Sequence, residues 1–402
     1  MAAVGSGAVF VVCTSTARQQ GPVAALLSTA GWASAAQRVL GASWITAPGG
    51  LVEPEQARRQ ASAPHLASPE APTWRRRVPT VAKTVAKDLR QARRVRALRI
   101  DPDGPWRDTE LSFVWQRHEL FHAAGIGLAR ALDVPAVLFV PATLVWEAQQ
   151  WGVTRPGWGR RLERWGEEPA LRAADLVACG SEAVAEQAVR LGTDPARVLV
   201  TPTGVDLDLF DAPATDRGVL RRGLGLEDRF VVGWVGSFRR FHAVEQIIDA
   251  LAGVERAALL LVGDGPERRA LEERARERGV DAVFTGTVDH STLVAHLGVM
   301  DAAVVLAPTD RSFHYSPLKL AEYLAAGLPV VAPAVAQVRD RLTDGVDALL
   351  VAPGNGADLT DALVRLRDDP ASRARIGAAA RAAAVRTWGW DHQVRRVLDA
   401  LG

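Results

Sequence analysis

Short apolar runs alternate with longer stretches of helical period along the whole chain. In the first half the runs are Ala8–Thr14, Trp44–Ala47, Leu111–Gln116, Pro135–Val140, Leu176–Gly180 and Val198–Thr201. In the second half they are Phe230–Ser237, Ala258–Gly263, Ala282–Gly286, Ala302–Ala307, Pro329–Ala332 and Ala348–Ala352. Runs of about four to eight mostly apolar residues, bounded by Gly, Pro or Asp, have the pattern of strands buried on both faces. The stretches between them, such as Pro266–Gly279 and Ala357–Arg367, repeat their apolar positions with the period of a helix. Strand and helix in alternation build a parallel sheet with helices on both faces. The alternation occurs twice. The apolar period pauses at Thr203–Leu226, where a polar stretch runs through Asp211-Ala212-Pro213. The expected architecture is therefore α/β, with two doubly wound, Rossmann-like domains. They cover residues 1–205 and 206–385, with a last helix over 386–402. Ligands of such sheets lie beyond the carboxyl ends of the strands. Two sheets facing each other predict a cleft.

Composition agrees and removes some functions. A chain of 402 residues suits two cores of about 150–200 residues each. Its 48% apolar and 23% charged residues are the balance of a soluble globular protein. The net charge of +2, from 48 basic and 46 acidic side chains, gives no field directed at nucleic acid. Cys13 and Cys179 sit inside apolar runs and read as small core residues in a reducing compartment. No apolar stretch reaches the ~18 residues that span a bilayer. No basic region precedes the first apolar run, so no secretory signal is expected. The expected location is the cytoplasm.

The candidate chemistry centres on His314-Tyr315-Ser316-Pro317-Leu318-Lys319-Leu320-Ala321-Glu322-Tyr323 and its continuation to Pro329. Ser316 suits an N-cap and Pro317 the first helical position. Gly327 suits the left-handed cap that ends a helix, and Pro329 blocks continuation. A helix start directly after a strand tip presents free N–H groups and partial positive charge, a ready place for a diphosphate. Glu322, one turn beyond Leu318 and Lys319, can accept two ribose hydroxyls. The plainer reading is a capped amphipathic helix with a surface Lys319–Glu322 pair.

In the first half, Gly21 lies in a loop that leads from the first strand into a helix. Arg117 and His118 end the Leu111–Gln116 strand run, and Trp146 and Glu147 lie beyond the next one. Polar side chains at strand tips are binding-site candidates. Ordinary capping, packing and surface pairing are the alternatives. The stretch Arg75–Arg99 holds ten Lys or Arg and one acid, Asp88. It reads either as a solvated helix face or as a surface for peripheral contact with anionic lipid. Two Asp-x-Asp triplets, at Asp101–Asp103 and Asp206–Asp208, precede a polar loop and sit in the linker. No cluster has metal-ligand spacing, so no metal is expected.

The run from Ser316 to Val331 resembles the family-4 retaining glycosyltransferases of GT-B fold, in particular a bacterial group with S-P-x-K-L-x-E-Y-x-A-x-G-x-P-V-V. Ser316, Pro317, Lys319, Leu320, Glu322, Tyr323, Ala325, Gly327, Pro329, Val330 and Val331 match it. Gly233–Arg239 resembles the family's first strand and phosphate loop of the second domain. Leu261–Pro266 resembles its next strand end, Phe284–Val288 its base-binding turn, and Val200–Asp206 its hinge. Trp388 and the terminal helix resemble the tail that crosses back to the first domain. Together these cover about the last 200 residues.

The resemblance implies two domains facing across a cleft. It also implies transfer of a sugar from a nucleoside diphosphate to a hydroxyl acceptor, whether glycan, lipid-linked or a small metabolite. No resident cofactor is implied, since the nucleotide sugar is a co-substrate. Glu322 would hold the ribose. The N–H groups around Ser316, Pro317 and Leu318, with Lys319 and Arg239, would hold the diphosphate. Val288 would read the base, and Gly21, Gly236, Ser237, His242, Gly263 and His314 would complete the donor set. Arg117, His118, Trp146 and Glu147 are the acceptor candidates; His118, Arg239 and Lys319 are the catalytic ones.

The sequence departs from the family's E-x(7)-E, because His314 stands where the first Glu is usual. The family's phosphate-binding Arg and Lys would fall at Ser237 and His242, with Arg239 a nearby substitute. A His in place of that Lys would make donor binding sensitive to pH near neutrality. Two other classes fit these departures: a non-catalytic GT-B subunit that binds a nucleotide sugar or a partner transferase, and a nucleotide-sugar epimerase.

Overall fold

A computed structural model describes residues 5–13, 23–47, 50–57, 80–96, 98–211, 216–307 and 318–402. They form two compact units. The first runs to Thr203 and takes in Trp390–Gly402; the second lies between Gly204 and Gly389.

The first unit is built on a seven-stranded sheet. Its strands are β1 (Gly7–Val11), β2 (Ala42–Ala47), β3 (Gly50–Val52), β4 (Leu111–Arg117), β5 (Ala136–Val140), β6 (Leu176–Cys179) and β7 (Val198–Val200). They lie in the order β3-β2-β1-β4-β5-β6-β7. All neighbours are parallel except β2 and β3, a hairpin at the edge. The order reverses at β1, which lies between β2 and β4. That reversal opens the crevice in which doubly wound sheets bind ligands.

One face of the sheet carries the aromatic side chains Phe10, Trp115 and Phe139. Trp32 packs on them from helix Val23–Leu40, with its ring 5.7 Å from Phe139. The terminal helix Trp390–Leu401 closes this layer. Trp390 stands 5.6 Å from Trp32, and a side chain at Gly31 would meet its indole at 2.3 Å. Arg38 pairs with Asp391 across the two helices, and Arg396 Nη1 donates to the Val200 carbonyl at 2.7 Å. Trp388, two residues before Trp390, belongs to the second unit, where its carbonyl accepts from Val205 N–H at 2.8 Å.

The second unit has six parallel strands in the order β10-β9-β8-β11-β12-β13. These are β8 (Phe230–Val235), β9 (Ala257–Val262), β10 (Ala282–Gly286), β11 (Ala302–Val304), β12 (Val330–Pro333) and β13 (Leu349–Val351). Here the order reverses at β8. The apolar cores lie on both faces of the sheet, which is why the strand sequences read as continuous apolar runs. The strand expected over Phe230–Ser237 stops at Val235, because Gly236 leaves the β region with φ +146°.

Helix Leu318–Ala325 follows β11 in the chain; Ser316 and Pro317, expected to open it, lie outside the described residues. Its end is as expected. Gly327 takes φ +67°, and the N–H groups of Gly327 and Leu328 bond back to the Leu324 and Tyr323 carbonyls. Among the described residues no helix is long and apolar enough to cross a membrane.

Candidate donor site

The tips of β8, β9 and β10 approach one another backbone to backbone. Gly263, just past β9, takes φ +135°. A Cβ on it would stand 2.0 Å from the Gly236 carbonyl oxygen. Its N–H donates to the Gly286 carbonyl at 2.9 Å, and Gly236 N–H donates to that of Val262 at 3.0 Å. A Cβ on Gly265 would meet the Phe238 carbonyl at 2.5 Å. Glycine is needed at Gly263 for two reasons at once, the positive φ and the neighbouring backbone. Between these tips Phe238 is fully buried and anchors the loop, with its N–H on the Asp264 carbonyl at 3.0 Å. Ser237 and Arg239, on either side, are exposed.

Helix Leu318–Ala325 packs against this loop. Tyr323, fully buried, accepts a hydrogen bond from Val235 N–H at 2.7 Å and so fixes the helix to the end of β8. One turn earlier, Lys319 Nζ lies 3.8 Å from the centroid of the Trp234 ring. A Cβ on Gly236 would stand 3.1 Å from the same Nζ. The Lys319 amine thus lies beside Gly236 and over an aromatic face, which attracts a cation through its quadrupole. Glu322 is 4% exposed. Burial pulls Lys319 down to about 7 and pushes Glu322 up to about 8, and each opposes the other's shift by its charge. Glu322 is thus buried and Lys319 partly buried, unlike the surface pair of the plainer reading.

His242 rests edge-on against Trp234 at 5.5 Å and against Phe241 at 4.3 Å. Burial, then the charges of Lys319 and Arg239, lower it to about 3. This runs against the expectation of a titration near neutrality at His242, because burial and the two neighbouring cations favour the neutral ring. Val288 lies just past β10, half-buried against the core of the second unit. Leu318 is half-buried at the helix start. Gly21, His314, Ser316 and Pro317 lie outside the described residues.

In the first unit Arg117 ends β4 half-buried. It donates to Ser28 Oγ at 3.2 Å and lies 5.9 Å from the Phe139 ring. Burial lowers Arg117, while Glu119 and Glu147 oppose that shift. Burial raises Glu147, and Arg117 is the strongest opposing influence. These two candidates share one environment.

His118 does not join them. Its ring is fully enclosed, with Nε2 2.9 Å from Glu167 Oε2. Glu167 also accepts from the N–H groups of Leu144 at 2.8 Å and Val145 at 3.0 Å. It thereby caps helix Leu144–Gln150, and His118 holds the cap in place. This corrects the expectation of His118 as an acceptor contact or catalytic group: the strand tip turns inward because a buried carboxylate needs a partner. Trp146 packs against the first unit's core, the bland alternative for it.

Two residues of these sites had no signal in the sequence. Trp234 reads as an ordinary strand residue, and Glu167 lies in a π-helical turn, Glu163–Glu167. Among the described residues no group of three or more His, Cys, Asp or Glu is arranged to hold a metal ion.

Two doubly wound, largely parallel sheets, with close-packed glycines at the strand tips of the second, are the architecture of the GT-B glycosyltransferases, as the comparisons bear out. The family model described as "Glycosyltransferase Family 4" matches residues 105–209, and "Glycosyl transferases group 1" matches residues 229–369. Together these take in more than half of the chain, which belongs to the family-4, or group 1, glycosyltransferases. Among curated relatives, the D-inositol 3-phosphate glycosyltransferase of Kribbella flavida is 35% identical over 255 residues, 58% of this chain and 58% of the relative. That of Mycobacterium tuberculosis F11 is 34% identical over 246 residues, 58% of this chain and 49% of the relative. The matches thus span about half the length of these relatives. Among solved structures, Anabaena HepE in complex with UDP is similar with a TM-score of 0.65 at 18% identity, covering 98% of this chain and 99% of that one. WaaG, a glycosyltransferase involved in lipopolysaccharide biosynthesis, has a TM-score of 0.60 at 16% identity with the same coverage. At these identities the structures speak for the fold.

Proposed function

We propose that the chain is a retaining glycosyltransferase that moves a sugar from a nucleoside diphosphate to a hydroxyl acceptor, with no resident metal or cofactor. The observation that carries this reading is Lys319 beside the Gly236–Gly263 approach, with the buried Glu322 one turn further along its helix. In it Glu322 accepts the ribose hydroxyls, Lys319 and Arg239 face the diphosphate, and Val288 with neighbouring backbone reads the base. The glycosidic bond from the sugar's anomeric carbon to the diphosphate breaks as the acceptor oxygen bonds to that carbon on the same face. The acceptor proton passes to the departing phosphate oxygen. The protein supplies position and charge, which are large contributions in such transfers, and the enclosed His118 is not needed as a base.

Arg117 and Glu147 are the acceptor residues in this reading. D-inositol 3-phosphate is the first acceptor to assay, because the curated relatives carry it in their name. The same reading gives the Arg75–Arg99 stretch peripheral contact with the inner membrane face of a cytoplasmic enzyme. The test is a thermal-shift screen of nucleotide sugars, since a bound donor raises stability by mass action, followed by assay of the purified chain. Release or transfer of sugar supports the proposal. Binding without turnover would favour the non-catalytic subunit suggested by His314, and donor isomerisation without acceptor would favour an epimerase.

The buried pair also sets a pH dependence. Between about 7 and about 8 it holds a single proton. The donor needs that proton on Lys319, facing phosphate, and Glu322 ionised, facing ribose. Below 7 the pair carries two protons and binding releases one, so affinity falls as pH falls. Above 8 the pair has lost both and binding takes one up, so affinity falls as pH rises. Calorimetric donor affinity should therefore peak between about 7 and 8, with up to about tenfold loss per pH unit on either side. A flat profile would remove the pair from the site.

A further inference from the structure

Trp234 has a partner that a core tryptophan ordinarily lacks. It is fully buried near the end of β8 and packs against Phe238, with the ring centroids 5.8 Å apart. Its face also carries Lys319 Nζ at 3.8 Å, well inside the ~6 Å reach of a cation–π contact. The arrangement is fixed from behind. Val235, the next residue of the strand, donates its N–H to Tyr323 Oη at 2.7 Å. Tyr323 lies one turn beyond Lys319, so strand and helix cannot slide past each other. Among the described residues Lys319 makes no ion pair and no hydrogen bond. Glu322 favours its charged form from a distance, against the effect of burial. A polar group drawn out of water needs a compensating partner, and the indole face is the partner in contact with this amine.

We infer that Trp234 is a positioning residue for the donor's diphosphate: its ring holds the Lys319 amine beside the Gly236 loop with its hydrogen-bond donors unspent, ready for phosphate oxygens. The inference rests on the reading that Lys319 faces the diphosphate. A carboxylate in the ring's place would hold the amine as firmly, but it would occupy the N–H groups and repel the incoming phosphates. The indole face attracts the cation and carries no net charge, so it does neither. The kind of ring matters for the same reason. Tryptophan presents the strongest face among the aromatic side chains; phenylalanine would hold the amine less well, and leucine would not hold it at all. Trp234 touches no donor atom in this account and acts only through Lys319.

The test is calorimetry of UDP and GDP on the full chain, with fluorinated tryptophans placed at position 234 alone. Successive fluorine atoms drain the negative face of the ring and leave its shape nearly unchanged, so the melting curves should coincide. Affinity for the diphosphate that binds should fall stepwise, by about 3–30-fold in total across the series. Trp234→Phe should fall between tryptophan and Trp234→Leu. In a Lys319→Met chain the same fluorinated series should be flat, because a residue that acts through Lys319 has nothing left to act on. A purely structural role for the ring, as an anchor for Phe238 and His242, would leave affinity indifferent to fluorination, or would weaken it equally in both chains. Either result, with Lys319→Met itself impaired, would overturn the inference alone. Unchanged affinity in Lys319→Met, or binding of neither diphosphate to the unaltered chain, would take away the reading beneath it.

Discussion

Glu322→Ala is expected to weaken binding of a nucleoside-diphosphate donor about 10–100-fold, read by calorimetry near pH 7.5. The size follows from the bonds lost. A carboxylate that accepts ribose hydroxyls contributes about 1.5–3 kcal/mol, and each tenfold in affinity is about 1.4 kcal/mol. The variant also leaves Lys319 without the one carboxylate that opposes its loss of charge in the buried site. For the free protein the change removes an ionisation cost and leaves the volume of a buried side chain empty. Glu322 has its folded-state pKa raised to about 8, above that of an unfolded chain. It therefore subtracts stability progressively as pH rises from the ordinary carboxylate range through 8, and removing it relieves that cost. Glu322→Gln should keep the shape, weaken the donor by a smaller factor and melt higher than the parent above pH 8. Unchanged donor affinity in an intact Glu322→Ala protein would sink the ribose role.

Gly263→Ala is expected to destabilise the second unit by about 3 kcal/mol or more. Two independent costs meet at this residue. A φ of +135° is a conformation that side-chain-bearing residues rarely adopt, which alone costs about 1–3 kcal/mol. The new Cβ would also stand 2.0 Å from the Gly236 carbonyl oxygen. That oxygen is backbone, held by the loop that places Gly236 above Lys319, so it cannot swing aside like a side-chain tip. Gly253→Ala is the natural control. Its φ is +82°, but a Cβ there meets nothing within 4 Å, so strain acts alone and the cost should be about 1 kcal/mol. Chemical denaturation separates the two. A Gly263→Ala midpoint no lower than that of Gly253→Ala would contradict the close backbone approach at the site.

Much of this fold was legible because parallel strands covered on both faces must be apolar at nearly every position, and β5, β8, β9 and β12 read that way. The Gly327 cap was legible because only one backbone conformation ends a helix so sharply. What escaped depends on contacts distant in sequence. β8 stops short of Ser237 because Gly236 must approach Gly263 from the next strand, and no local pattern records that. β3 escaped because Gly50–Val52 is a three-residue edge hairpin, too short to show a period. In the candidate site, the Ser316–Glu322 spacing and the glycines were visible. Trp234 under Lys319 was not, since a strand Trp is ordinarily core. His118 looked like an open strand-tip polar residue, and only the π-helical turn bearing Glu167 makes it an interior one. Asp88 stood out in composition as the single acid of a basic stretch, yet its burial needed Arg155 and Trp158 to be seen, which donate to it at 2.9 and 3.2 Å.

The central claim is that the strand tips of the second unit hold a nucleotide through its ribose at Glu322. The most direct measurement compares, by calorimetry on the unaltered protein, the ribonucleoside diphosphate found in the donor screen with its 2′,3′-dideoxy analogue. The account predicts that the ribonucleotide binds about 10–100-fold more tightly and that this preference disappears in Glu322→Ala. Equal affinity of the unaltered protein for the two compounds would contradict it.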